Sequence, residues 1–338
     1  MNRREFIIQA GAAGLLAGCS TRGIAGAASR TAVPQRMWAV LLQHGVKMWE
    51  KRAKSDTLQF NEDLWKETIE RMVARKVNVL VWDLGEAMVY PSHPELRVKG
   101  SWEPERVRDE IARLKKMGIL AIPKLNFSPA HDQWMGKWRP YLSTPEHNRV
   151  CGELIADVAR VFDEAPLFHL GMDEEEYRIQ NINKFQYIRI RRGELWLRDF
   201  EFLCQEVRSH GMRPWIWWST LHRQAEPFAE FTAKIPKDVL MNPGIYDKGE
   251  YDLATATGDK KAKLESFHQL AKLGFEQVPM GSPYAGDDNM KKVYDFTKDI
   301  KGVRGHMMAP WVCTLKGHRE KILRSVDQIG DVIDAAGV

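Results

Sequence analysis

The 338-residue chain is poor in features that settle a protein's class at a glance. It has four cysteines, Cys19, Cys151, Cys204 and Cys313. None forms a Cys-x-x-Cys pair or a Cys/His ligand spacing, so neither a disulfide framework nor a structural zinc is expected, and the later three are predicted to be buried thiols. The net charge is only +5, with Asp and Glu spread along the chain, which makes no case for nucleic acid. No glycine-rich phosphate loop follows the first apolar run, which leads instead into QHGVKMW, and this argues against a doubly wound nucleotide-binding sheet. Beyond residue 33 no linker or low-complexity segment divides the chain, and about 300 residues suit one large domain.

What is present begins with MNRREFIIQAGAAGLLAGCS. Arg3, Arg4 and Phe6 form a twin-arginine export pattern, and Leu16-Ala17-Gly18-Cys19 resembles a lipoprotein signal that would leave Cys19 lipidated. The stretch is too short to span a bilayer. The expected organisation is a signal peptide over 1–18, a flexible Ala/Gly/Ser/Thr-rich tether over 19–33, and one catalytic domain over 34–338. The expected location is the periplasm or cell envelope, with membrane contact only through the lipid.

Short apolar runs then alternate with amphipathic segments. The runs are Met37–Leu42, Val77–Trp82, Ile119–Pro123, Leu167–Gly171, Pro214–Trp218, Val239–Gly244, Phe275–Gly281 and Val303–Trp311. Several lack polar alternation, as strands covered on both faces should. Between them lie helices with clear stops: in PERVRDEIARLKKMG, Val107, Ile111, Leu114 and Met117 share a face, Pro104 suits the first turn and Gly118 the end. Eight strand–helix repeats predict a single-domain α/β fold, a (β/α)8 TIM barrel.

Barrel enzymes build their sites where the strands end. The run ends here are polar and aromatic: Trp82, Asp83 and Glu86; Asn126 and His131; Asp173 and Glu174; Trp217 and Trp218; Asn242 and Tyr246; Tyr284, Asp287 and Asp288; His306 and Trp311. In a regular strand Asp173 and Glu174 would face opposite ways, but a strand's last residues leave the pleat, and Gly171 tolerates the turn. Glu175 and Glu176 fit the loop or the first turn of the next helix. The chain holds twelve tryptophans. Trp38, Trp65 and Trp215 are expected in the core, and Trp218 and Trp311 as pocket walls against sugar C–H faces. Paired acids in an aromatic pocket fit glycoside hydrolysis. Adjacent acids suit substrate assistance, in which the sugar's own 2-acetamido oxygen attacks. No cofactor or metal is called for.

His169-Leu170-Gly171-Met172-Asp173-Glu174 resembles the His-x-Gly-x-Asp-Glu signature of glycoside hydrolase family 20, the β-N-acetylhexosaminidases. ERMVARKVNVLVWDL, LKKMGILAIPKLNFSPAH and VRGHMMAPWV resemble that family's second, third and last strand segments, in order across Phe60 to Trp311. The resemblance implies that Glu174 is the general acid and base, that Asp173 positions the acetamido group, and that His131, Asp83, Trp218 and Trp311 belong to the sugar subsite. It makes Tyr246 or Tyr284 the donor to the acetamido oxygen. The expected substrate is a glycan with a terminal β-linked N-acetylhexosamine. The chain departs from the family at the end of the first strand, where an arginine is missing. Lys124 and Asn126 stand where the family carries Glu and Asp, Asp83 holds a position often occupied by His, and Val-Cys-Thr follows Trp311 where a glutamate is common. Those departures keep two alternatives open: a different sugar, neutral or acidic with Lys124 meeting a sulfate or carboxylate, and a non-catalytic carbohydrate-binding barrel.

Overall fold

The computed structural model describes residues 30–48, 55–182, 184–185, 187–218 and 228–337. The expected signal peptide, the lipidation candidate Cys19 and the tether up to residue 29 lie outside them. Eight parallel strands form one sheet: β1 (Met37–Gln43), β2 (Val79–Asp83), β3 (Leu120–Lys124), β4 (Leu167–His169), β5 (Arg213–Trp218), β6 (Leu240–Pro243), β7 (Met280–Gly281) and β8 (Gly305–Met308), in the order β6-β5-β4-β3-β2-β1-β8-β7. The end strands meet through bridges Met241–Gln277 and Gly244–Met280, with Val278 N donating to Met241 O at 2.8 Å. The sheet therefore closes, and the (β/α)8 barrel expected from the strand–helix alternation is what forms.

A helix follows every strand: α1 (Glu62–Ala74), α2 (Pro104–Lys116), α3 (Pro145–Val161), the short α4 (Tyr177–Ile182) and then α5 (Gly193–Ser209), α6 (Phe228–Ala233), α7 (Gly258–Lys272), α8 (Asn289–Thr297) and α9 (Arg319–Ala335). Their starts are chemically marked. Asn61 accepts from Leu64 N at 2.8 Å, Thr144 accepts from His147 N at 3.2 Å, and Pro104 and Pro145 occupy first turns. β1 and β2 are buried at every residue, since the barrel interior covers one face and the helices the other. Cys151, Cys204 and Cys313 are free and buried.

The strand pleat sorts the aromatics. On β5 the rings of Trp215 and Trp217 lie 5.1 and 4.4 Å from that of His169, inside the barrel. Trp218 therefore projects to the other face and is fully buried there. His306, expected at a strand exit, sits early in β8 and also faces outward. It stacks on Trp38 at 5.8 Å and meets Thr297 Oγ1 on α8 at 2.8 Å, and burial lowers its imidazole to about 3. Asp287 and Asp288 are surface partners of Arg324 and Lys292.

At the far end of the barrel, Arg30 gathers helix termini. Its guanidinium donates to Asp163 O at 2.9 Å and Ala165 O at 2.7 Å beyond α3, and to His210 O at the end of α5. His210 is the C-cap of α5, whose carbonyl a helix end leaves unpaired, and a cation there also meets the negative end of the helix dipole.

The exit of β4 is where the backbone departs most from the pleat. Gly171, Met172 and Glu174 have φ of +74°, +68° and +52°. A Cβ on Gly171 would lie 2.1 Å from Asn126 Oδ1. We predict that Gly171→Ala destabilises the chain by about 2–5 kcal/mol, combining left-handed strain with overpacking, and that urea unfolding shows this loss. A change under about 0.5 kcal/mol would count against the turn being constrained.

Candidate active site

The turn after β4 brings both acids to one cavity. About 350 Å³ in volume, it opens at the C-terminal ends of the strands and is lined by Gln43, Met48, Lys124, Asn126, His131, Asp173, Glu174, Tyr246, Tyr284 and Trp311. Asp173 Oδ1 accepts from Asn126 Nδ2 at 2.9 Å, and Ser128 Oγ donates to the Asp173 carbonyl. His131, from the loop after β3, reaches both acids: its Nε2 lies 3.1 Å from Glu174 Oε2 and 3.5 Å from Asp173 Oδ2. Trp311, also left-handed at φ +51°, sits 5.3 Å from Trp217 and 6.4 Å from Tyr246, ring to ring. Among the described residues the buried indole N–H groups of Trp217 and Trp311 meet no partner, and that of Trp311, which lines the cavity, is a donor for a ligand.

Charge is what holds this cluster. Burial works against a cationic His131, but Asp173 and then Glu174 outweigh it and push the imidazole up to about 10. Burial likewise raises the Asp173 carboxyl, yet His131, Lys124 and Asn126 together hold it at about 2. The ligand atoms of His131, Asp173 and Glu174 lie within 4.8 Å of one another, near enough for a small cation. The same atoms bind one another: His131 Nε2 meets both carboxylates, so the trio forms a hydrogen-bonded unit.

Of the residues expected in the site, Asp173, Glu174, His131, Tyr246, Tyr284 and Trp311 line the cavity. Trp218 does not, for the reason of pleat parity given above, and Trp217 takes the inward place. Asp83 is buried below the cavity floor, its Oδ2 2.6 Å from Lys124 Nζ. Burial raises its carboxyl and Lys124 opposes this. Glu86 is buried too, accepting from Val46 N at 2.8 Å and Lys47 N at 3.1 Å, and so shapes the loop after β1. Gln43 and Met48 were not anticipated, although Gln43 is the first polar residue after the β1 run. Its Nε2 lies 3.2 Å from Met48 Sδ.

The acids beyond Glu174 differ in kind. Glu176 stays in the loop, 3.4 Å from Arg178. Glu175 precedes α4 but is no solvated turn residue: it is fully buried and bound twice by Arg191, at 2.8 and 2.6 Å. Arg191 Nη2 also donates to Phe127 O at 2.9 Å. Nearby, Arg189 grips Asp132 at 2.6 and 2.7 Å. The Arg189–Asp132 fork and the Arg191–Phe127 hydrogen bond fasten the segment after the acids to the loop after β3, which carries His131.

The fold class is thus a closed (β/α)8 barrel with a hydrogen-bonded acid pair at its mouth. Known proteins narrow that class. No family model matches the chain. Among curated proteins it is similar to a chitooligosaccharidolytic β-N-acetylglucosaminidase of Ostrinia furnacalis, with 26% identity over 145 residues, 32% of this chain and 24% of that protein. Among solved structures it is similar to a family 20 exo-β-N-acetylglucosaminidase of Vibrio harveyi (TM-score 0.56, 14% identity, 87% of this chain and 54% of that one). It is also similar to β-N-acetylhexosaminidases of Bacteroides fragilis (0.57, 12%, 87% and 65%) and Streptomyces coelicolor (0.59, 12%, 88% and 65%). The barrel is therefore like those of glycoside hydrolase family 20. The chain spans about a quarter of the curated relative's length and between half and two thirds of these structures' chains.

Two outcomes are expected. Arg191→Met leaves Glu175 buried without its cation and should cost about 3–5 kcal/mol in urea unfolding. The His131–Asp173 pair also makes stability depend on pH. The His131 contribution, from an imidazole raised above its ordinary 6.5, is complete below 6.5 and lost as pH rises through about 10. The Asp173 contribution, from a carboxyl held below 3.8, is present above 3.8 and lost as pH falls toward 2. The stability advantage of wild type over His131→Gln should therefore peak between about pH 4 and 6.5 and disappear above about pH 10. An advantage that grows in alkali would contradict the ion-paired assignment.

Proposed function

We propose that the chain is a retaining, substrate-assisted glycoside hydrolase that removes a terminal β-linked N-acetylhexosamine from a glycan. The observation that carries this reading is the β4 exit, which turns two adjacent acids into one aromatic-walled cavity and binds both to His131. Glu174 gives its proton to the glycosidic oxygen as the sugar's acetamido oxygen attacks the anomeric carbon, so the aglycone leaves and an oxazoline ring closes. Asp173, held ionised, orients the acetamido N–H and offsets the positive charge that develops on the ring. Glu174, now a carboxylate, takes a proton from water as that water attacks the same carbon and reopens the ring, with net retention. Trp311 and Tyr246 form the wall against which the sugar packs.

Gln43 and Met48 supply a neutral wall at the end of β1, and this favours a second reading, a glycosidase of the same barrel acting on a different sugar. Lys124 gives little support to an acidic glycan, because Asp83 already neutralises it. Glu174→Gln should lower kcat on an aryl N-acetylglucosaminide by about 10²-fold or more with KM little changed, and Asp173→Asn should harm acetamido substrates most. Full activity of Glu174→Gln overturns the assignment. Turnover only of glycosides lacking the acetamido group selects the second reading, and binding of a thiazoline mimic without any turnover selects a carbohydrate-binding barrel. We further propose export by the twin-arginine pathway and anchoring through Cys19; loss of Cys19→Ser from the membrane fraction is the expected result.

A further inference from the structure

The β1 side of the cavity sets an amide against a thioether. Gln43 ends β1, Met48 follows in the loop beyond it, and both line the cavity. Gln43 Nε2 lies 3.2 Å from Met48 Sδ, an N–H donor placed on a weak acceptor. Among the described residues that line the cavity, Met48 is the methionine, and it is 7% exposed. Eleven other methionines, Met172, Met241 and Met308 among them, are at most 3% exposed. Met117 is partly buried and also lies under a donor, Arg113 Nη1 at 3.2 Å, but it stands between α2 and β3, at the opposite end of the barrel from the cavity. Oxidation of a thioether follows its accessibility. Met48 and Met117 are therefore the candidates among the described residues, and of these two Met48 opens on the site.

We propose that Met48 is an oxidative modification site through which a peroxide weakens sugar binding. The Sδ lone pair attacks one oxygen of hydrogen peroxide and the O–O bond breaks. The proton of the transferred oxygen goes to the departing one, which leaves as water; sulfur is oxidised by two electrons and the peroxide reduced by two. The sulfoxide oxygen is polar and a better acceptor than the thioether. Gln43 Nε2, already at the sulfur, can donate to it, so an apolar stretch of wall becomes bulkier and polar in a cavity of about 350 Å³. The acids and His131 belong to the β3–β4 side, so the change falls on binding more than on proton transfer. Its effect on turnover rests on the glycosidase reading; the modification itself does not. The full chain is treated with hydrogen peroxide and mapped by peptide mass spectrometry while kinetics on an aryl N-acetylglucosaminide are followed. Met48 should gain an oxygen before the eleven buried methionines, and KM should rise about fivefold or more in step with Met48 sulfoxide, with kcat less affected. Met48→Leu, compared with its own untreated state, should keep its KM while Met117 is oxidised. Oxidation of Met48 no faster than of the buried methionines, or an equal rise of KM in Met48→Leu, overturns the proposal. Where Met48→Leu does not fold, the wild-type time course decides, and a KM that follows Met117 sulfoxide overturns it. Where wild type turns over no glycoside, the glycosidase reading fails, and affinity for a thiazoline mimic before and after peroxide replaces KM: a loss of about fivefold or more supports this role of Met48, and an unchanged affinity overturns it.

Discussion

A carboxylate taken out of water must meet a cation or give up its charge, and the mouth of this barrel is arranged around that constraint. Asp83 lies on Lys124, Asp173 and Glu174 on His131, Glu175 on Arg191, and Asp132 on Arg189. The pairs of Asp83, Asp173, Glu174 and Asp132 cross from one strand exit or loop to another, and Arg191 makes its crossing through Phe127 O. The pairs consequently fix where the loops after β2, β3 and β4 stand relative to one another. The site is held by these crossings more than by the depth of any single side chain.

The fold was legible because its signals are periodic. Eight apolar runs, several without polar alternation, separated by helical faces, leave few arrangements besides a closed barrel. The β4 exit was legible too, since Gly171 ahead of two acids marks a place where the pleat can break. Parity was harder. Trp217 and Trp218 differ by one residue, and only the contacts with His169 show which of them faces inward. Glu175 looked like its neighbour Glu176 because its partner, Arg191, lies 16 residues on. Pairing across that distance leaves no local pattern. His306 was misplaced because it stands inside its apolar run, where a polar residue can mark a strand exit or an outward place within the strand, and β8 takes it in as its second residue.

The same crossings decide how polarity is distributed around the cavity. Lys124 and Asp83 contact each other. Gln43 and Met48 close the β1 side without charge. Polarity is therefore concentrated at the β3–β4 side, near Asn126, His131, Asp173 and Glu174. A ligand entering this mouth finds its electrostatic partners on one side and aromatic surface on the other, which constrains its orientation before any chemistry begins.

Arg30 lies at the opposite pole. By donating to carbonyls just beyond α3 and at the end of α5, it ties two helices of the wall together at the base. The segment that carries Arg30 therefore packs on the face of the barrel opposite the loops that carry the acids, and leaves the mouth uncovered by it.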